Sequence, residues 1–293
     1  MATSYRRWPR FEYVKPEQLD EVLNLLDHHA NGSCRMYAGG TDLIRMMKLR
    51  LISSPQVLID LKGMKDLDYI AYDTAGGLRI GPLATIHSVA GSEAVRRHFS
   101  CLAMAAGSIA STQIQNRGTI AGNICNAVPS ADSAPALLCL NSELLCVSKA
   151  GERRVKIEDF FAGPSETVLK HDELLREIQV PPLPTGSRGA YIKLSTRSRM
   201  DLAVVGVAAV LSTENGVFKD VRIGLGAVAP TPVRARKAEK MLEGEKVSDD
   251  VIAEAAKAAA EESKPISDHR ASAEYRRMMV EVVAGRAVRR LLS

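Results

Sequence analysis

The chain has 293 residues, 46% hydrophobic and 25% charged, with a mean hydropathy of -0.06, an ordinary globular balance with length enough for roughly two or three domains. No run of about 18 apolar residues occurs, and no apolar segment follows the Arg- and Trp-bearing N-terminus, so neither a membrane span nor a secretory signal is expected. The formal charge of +5 is spread without aromatic interleaving, which argues against nucleic acid and suits an acidic partner or an anionic cofactor.

Aromatic residues make up only 4%, so Ala, Val, Leu and Ile must build the core. The five scattered cysteines (Cys34, Cys101, Cys125, Cys139, Cys146) read as reduced, mostly buried thiols of a cytoplasmic protein. In chain order, residues 1–60 suggest one βαβ unit. A strand over 11–14 leads through Pro16 into Leu19, Val22, Leu23 and Leu26 at helical spacing. A strand over 34–38 is broken by Gly39 and Gly40, and a helix over 42–49 and a strand over 57–60 follow.

The pattern changes over 61–179. A strand over 78–81 stops at Pro82, and Thr85, with Ser88 three residues on, opens a helix running toward Phe99. Another helix is expected over 102–111, a glycine-broken loop over 118–132, and an apolar helix over 135–140. Alternating strands are predicted over 144–148 and 155–157. Three prolines and a glycine over 180–186 mark the clearest boundary, since such a run fits neither a helix nor a central strand.

A third unit spans 187–293. Strands are predicted over 190–194, 203–211 and 221–227, with Asn215-Gly216 as a hairpin turn. Helices over 233–242, 249–263 and 271–292 follow. Gly244 should stop the first and Ser248 should cap the second. Strands followed by helices indicate a separate α+β domain.

The common catalytic constellations are absent: no P-loop, His-Glu-x-x-His, Cys-x-x-Cys, Gly-x-Ser-x-Gly or Gly-x-Gly-x-x-Gly. His28-His29, the one adjacent pair among six histidines, falls at a polar helix end and reads as a solvated face. Two glycine loops stand out. Ala38-Gly39-Gly40-Thr41-Asp42 lies between a strand and a helix, where backbone N–H groups can approach an anion. Thr119-Ile120-Ala121-Gly122-Asn123 follows Asn116-Arg117-Gly118 and precedes Asn126, Pro129, Ser130 and Asp132. Either loop alone can be a structural turn; two of matching chemistry suggest a bound diphosphate cofactor.

These two loops, with Pro129-Ser130-Ala131-Asp132-Ser133-Ala134-Pro135, resemble the flavin loops of the FAD-binding subunits of molybdenum hydroxylases. The resemblance continues through Ile80-Gly81-Pro82-Leu83-Ala84-Thr85, Lys193-Leu194, Asp201-Leu202-Ala203-Val204-Val205, Gly226–Pro232 and residues 268–277. It implies an α+β chain: a PCMH-type FAD-binding fold of a small βαβ unit and a larger α/β subdomain, then a C-terminal α+β domain with a small antiparallel sheet and helices.

The resemblance also implies roles. Ala38, Gly39, Gly40 and Thr41 would wrap the FAD diphosphate, with Asp42 capping the helix behind. Thr119, Gly122 and Asn123 would take its other side. Asp132 would hold ribose or ribityl hydroxyls, and Leu202 would lie near the isoalloxazine, although some relatives carry an aromatic residue there. Met36, Tyr37, Ile109, Ile178 and Lys193 complete the implied contact set. Ala121 stands where the family commonly has glycine. No catalytic side chain and no metal ligand is implied.

Some relatives acting on aromatic acyl-CoA substrates hold an extra iron–sulfur cluster in an inserted loop. Cys125, Cys139 and Cys146 lie in that region, but no insertion is present and buried thiols are expected. The implied assembly joins this chain to an iron–sulfur small subunit with [2Fe-2S] clusters and a molybdopterin large subunit, as a dimer of heterotrimers. Electrons would leave to NAD, quinone, ferredoxin or oxygen. The alternatives are a non-redox scaffold or assembly subunit of such a complex and a stand-alone flavoprotein oxidase, for which neither glycine loop supplies a histidine for covalent attachment.

Overall fold

The computed structural model describes residues 8, 10–29, 33–197 and 200–292. Described residues 10–29 and 33–60 fold as a βαβ-type unit. Strands β1 (Glu12–Val14), β2 (Cys34–Tyr37) and β3 (Val57–Asp60) make a parallel sheet in the order β1-β3-β2. Helices α1 (Leu19–His28) and α2 (Leu43–Leu49) supply the crossovers. Val22, Leu23 and Leu26 turn one face of α1 onto the sheet, while its acidic first turn, Asp20 and Glu21, suits the positive end of the helix. His29 is only half-buried and His28 is exposed, its ring edge-on to its neighbour. The core of this unit also takes in Leu83, Val147 and Leu174 from later in the chain, so the unit is sealed by its successor.

The second part is built on an antiparallel sheet of β4 (Ile70–Asp73), β5 (Gly77–Ile80), β6 (Glu143–Ser148), β7 (Gly151–Lys156) and, after the small β8 (Phe161–Gly163) and β9 (Glu166–Thr167) hairpin, β10 (Leu174–Val180). The order is β4-β5-β10-β6-β7. β10, at the centre, and β4 escape the periodicity reading. In β10 a bulge between Leu175 and Glu177 interrupts the alternation, and Glu177 is buried against the Tyr69 hydroxyl and Gln179.

Six helices cover the sheet: α3 (Ile86–Gly91), α4 (Glu93–His98), α5 (Ser100–Gly107), α6 (Thr112–Gln115), α7 (Ile120–Asn126) and α8 (Ser133–Cys139). The single helix expected from Thr85 to Phe99 is broken because Ser92 is extended and caps α4 through the Val95 N–H. The stretch expected to be a loop over 118–132 is largely helix, since Thr119 accepts the Gly122 N–H and starts α7.

The C-terminal part pairs β11 (Arg188–Leu194), β12 (Val205–Glu214), β13 (Val217–Gly226) and the short β14 (Val233–Arg234) in chain order, all antiparallel. Asn215 and Gly216, at φ +51° and +73°, make the expected tight turn. β14 occupies the start of a predicted helix, leaving α9 at Arg236–Leu242. Helices α10 (Asp249–Glu262) and α11 (Ala273–Arg289) follow, capped by Ser248 and Ser272.

The sheet packs on α5 and α8 of the second part. Gly224 passes so close to α8 that a Cβ there would lie 2.5 Å from the Pro135 carbonyl oxygen. Arg222 and Arg234 donate to the Cys139 and Leu138 carbonyls at that helix's C-terminus. Among the described residues no helix is long and apolar enough to cross a membrane.

Candidate functional site

Because β1, β3 and β2 are parallel, their C-terminal ends share one edge, where open parallel sheets gather ligands. β2 leaves this edge through the first glycine loop and β3 through Lys62. The Lys62 Nζ donates to Asp60 Oδ1 at 2.6 Å and to the Ala38 carbonyl at 3.2 Å, and sits 3.3 Å from the centroid of the Tyr37 ring. Asp60 also accepts the Tyr13 hydroxyl from β1. Burial pushes the Asp60 carboxyl upward, but the hydrogen bonds from Lys62 and Tyr13 outweigh it and hold the group below its ordinary value. The hydrogen bond to Asp60, first, and burial push the Tyr13 phenol up to about 12. Since C=O and N–H of a trans peptide point in opposite directions, the Lys62 bond on Ala38 also fixes how the Gly39 N–H is offered.

Gly40 has φ +74°, and a Cβ there would fall 2.0 Å from the Tyr37 ring. Its carbonyl accepts the Ile44 N–H at 3.0 Å, which turns the chain into α2. Asp42, expected to cap that helix, makes no side-chain capping bond; its backbone is already helical and its carbonyl accepts the Met46 N–H.

In the second loop, Arg117 and Gly118 close α6 by donating to Ile114, and the Gly118 carbonyl accepts the Ile86 N–H at 2.8 Å. Thr119 pairs with Thr85 in an isolated bridge. The Gly122 N–H is used by the Thr119 cap, the Asn123 N–H by the Thr119 carbonyl, and Asn123 Oδ1 by the Ser133 hydroxyl at 2.6 Å. Gly122 and Asn123 thus stabilise α7 and its junction with α8. Ala121 is 4% exposed and turns its methyl into the core.

The two loops touch: a Cβ on Gly39 would lie 2.1 Å from the Arg117 carbonyl oxygen, and one on Gly118 would lie 3.4 Å from Thr41 Oγ1. Two cavities flank this seam. One, of about 480 Å3, is bounded by Ala38, Gly39, Lys62, Thr85, Arg117 and Thr119 among others. The other, of about 550 Å3, is bounded by Tyr37, Gly39, Gly40, Thr41, Arg45, Lys48 and Arg117, with Ile44 and Leu49. Both sizes lie in the range of roughly 300–1,000 Å3 usual for small-molecule sites. Lys62, Lys65, Arg45, Lys48 and Arg117 against the single carboxylate of Asp68 make the walls positive, so the residues present fit an anionic dinucleotide such as FAD.

Of the residues singled out from sequence, Tyr37, Ala38, Gly39, Gly40, Thr41 and Thr119 line these cavities; Met36, Asp42, Gly122, Asn123, Ile109, Asp132, Ile178, Lys193 and Leu202 line neither. Ile178 has no accessible surface, paired with Ile80 and Leu144 inside the β10 ladder, so its side chain offers nothing for a ligand to touch. Ile109 is also in the core. Asp132 is 6% exposed and accepts the Tyr191 hydroxyl at 2.6 Å and the Lys193 Nζ at 2.8 Å, while Lys193 also donates to the Ser108 carbonyl. Burial raises the Asp132 carboxyl despite Lys193, and burial beside that carboxylate raises the Tyr191 phenol well above its usual range. Leu202 is exposed, and its N–H donates to Asp201. Nothing in the sequence singles out Lys62 beyond its being a cation two residues after a parallel strand.

The five cysteines are free thiols, four of them buried. Burial pushes Cys101 up to about 12 and Cys146 up to about 11.

The family described as "FAD binding domain in molybdopterin dehydrogenase" matches residues 9–183, and "CO dehydrogenase flavoprotein C-terminal domain" matches residues 190–291. The glyceraldehyde dehydrogenase medium chain of Sulfolobus acidocaldarius is 35% identical over 279 residues, covering 95% of this chain and 97% of that one. The xanthine dehydrogenase FAD-binding subunit of Escherichia coli O157:H7 is 32% identical, with 94% of each chain covered. A solved structure of reconstituted CO dehydrogenase from Oligotropha carboxidovorans superposes with a TM-score of 0.93 at 33% identity, covering 98% of this chain and 99% of that one. Sequence, fold and the paired glycine loops agree: the chain belongs to the FAD-binding medium subunits of the molybdenum hydroxylase family and is an oxidoreductase subunit.

Proposed function

We propose that this chain is the electron-transfer subunit of a multi-subunit molybdenum-containing hydroxylase or dehydrogenase, and that it does not turn over substrate alone. In this reading an iron–sulfur small subunit delivers electrons drawn from substrate at a molybdopterin large subunit, within a cytoplasmic dimer of heterotrimers. An external acceptor (NAD, quinone, ferredoxin or oxygen) removes them. The observation that carries the reading is the seam between Gly39 and Arg117, where both glycine loops and both positive cavities meet within the stretch matching the FAD-binding family.

Bound FAD supplies a redox centre that takes electrons singly and releases them in pairs. The chain's own residues bind and orient. Residues 38–41 offer backbone and hydroxyl donors on one side of the diphosphate, and Thr119 offers a hydroxyl on the other. Lys62 holds the Ala38–Gly39 peptide in one orientation. Asp132, Tyr191 and Lys193 lock the second part to the C-terminal sheet.

The test is to purify the chain with its partner subunits and add the large subunit's reductant under anaerobic conditions. Bleaching of the visible flavin band, with recovery on reoxidation, supports the electron-transfer reading. A bound flavin that dithionite bleaches but reduced partners never reach rejects it in favour of a scaffold.

A further inference from the structure

Gly39 and Arg117 are the two residues that line both cavities. Glycine carries no side chain, so Arg117 is the one charged residue common to both among the described residues. Its main chain is fixed on two sides: the N–H donates to the Ile114 carbonyl at 3.0 Å, and the carbonyl oxygen abuts Gly39. Its guanidinium, by contrast, is exposed and has no hydrogen bond or ion pair among the described residues. Lys62, the neighbouring cation, is already committed to Asp60 and Ala38. An unpaired guanidinium on a rigid base, at a residue that bounds two cation-lined clefts, is suited to bidentate recognition of phosphate oxygens.

We propose that Arg117 is the phosphate-reading residue of this site: its guanidinium pairs with the dinucleotide's diphosphate at the seam, and the dinucleotide crosses there from one cavity into the other. This inference rests on the FAD reading above. The backbone donors of residues 38–41 and Thr119 give shape to the cradle, and Arg117 supplies the charge that makes binding sensitive to ionic strength.

The test uses the full chain with its partner subunits, stripped of flavin, and titrates FAD by calorimetry over a series of salt concentrations. Arg117→Gln and Arg117→Lys are compared with the unsubstituted chain. R117Q should weaken FAD binding roughly 10- to 100-fold, as expected for a lost hydrogen bond to a charged group. It should also flatten the dependence of log Kd on log salt, because one screened charge–charge attraction is removed. R117K should keep the salt dependence while recovering part of the affinity, because it retains the charge but not the planar fork. Apo thermal stability should match in all three, since the side chain has no partner to lose. Unchanged FAD affinity in R117Q overturns the proposal, as does weaker binding with an unaltered salt dependence, which would mark a loop-shaping role only. If the unsubstituted chain takes up no FAD, the FAD reading itself fails, a result distinct from either of these.

Discussion

The Cβ that Gly39 lacks would lie 2.1 Å from the Arg117 carbonyl oxygen, so the two glycine loops meet backbone to backbone. Gly39→Ala must therefore part the loops by close to an ångström. The expected outcome is a rise in FAD Kd of at least about tenfold, equal to 1.4 kcal/mol, with a modest fall in melting temperature, measured by titration calorimetry and thermal unfolding. Full affinity in the variant would mean that the loops can separate without cost to the site.

Lys62 and Asp60 provide a second test. Lys62→Met removes the donor to Ala38 and leaves Asp60, 2% exposed, with Tyr13 as its remaining side-chain partner. Because the Lys62 side chain is 30% exposed, the expected loss of stability is only about 1–3 kcal/mol. An Asp60→Asn, Lys62→Met double variant should recover part of it in chemical denaturation.

The same pair sets a pH dependence. The folded Asp60 carboxyl lies below its ordinary value, so its contribution is fully present above about 3.9 and is lost as pH falls through the folded value. The unsubstituted chain should therefore lose stability more steeply than Asp60→Asn on the acid side, measured as denaturation midpoints across a pH series.

Asp132 and Lys193 join the second part of the chain to the C-terminal sheet with side chains 7% and 11% exposed. Lys193→Met strands a buried carboxylate, and breaking such a pair costs about 3–5 kcal/mol. Adding Asp132→Asn should return much of that loss. Equal stability of the single and double variants would show that water or Tyr191 already compensates the carboxylate.

How far the sequence reveals the molecule follows from whether the signal is local. The Asn215-Gly216 turn, the Ser248 cap and the helical face of Val22, Leu23 and Leu26 depend on adjacent residues and are legible. Strand β10 was not, because its bulge and buried Glu177 break the alternation that would reveal it, and Glu177 is tolerated only by partners as distant as Tyr69. Helix α7 is not legible, because Gly122 resembles a loop breaker until Thr119 recruits its N–H as a cap. In the site, the glycine loops were legible as motifs. The importance of Lys62 and Arg117 was not, since it arises only when parallel strands place the loop after β2 beside the end of β3 and against residues 116–119.

The measurement that bears most directly on the flavin site is the FAD-to-polypeptide ratio of the purified chain, determined by releasing and quantifying the flavin, beside the same ratio for Gly39→Val. The unsubstituted chain should carry one non-covalently bound FAD and the variant little or none, with the variant still folded by circular dichroism. A folded chain that takes up no FAD when the cofactor is in excess, or a Gly39→Val chain that keeps its full complement, would contradict the placement of the flavin at the seam between the two loops.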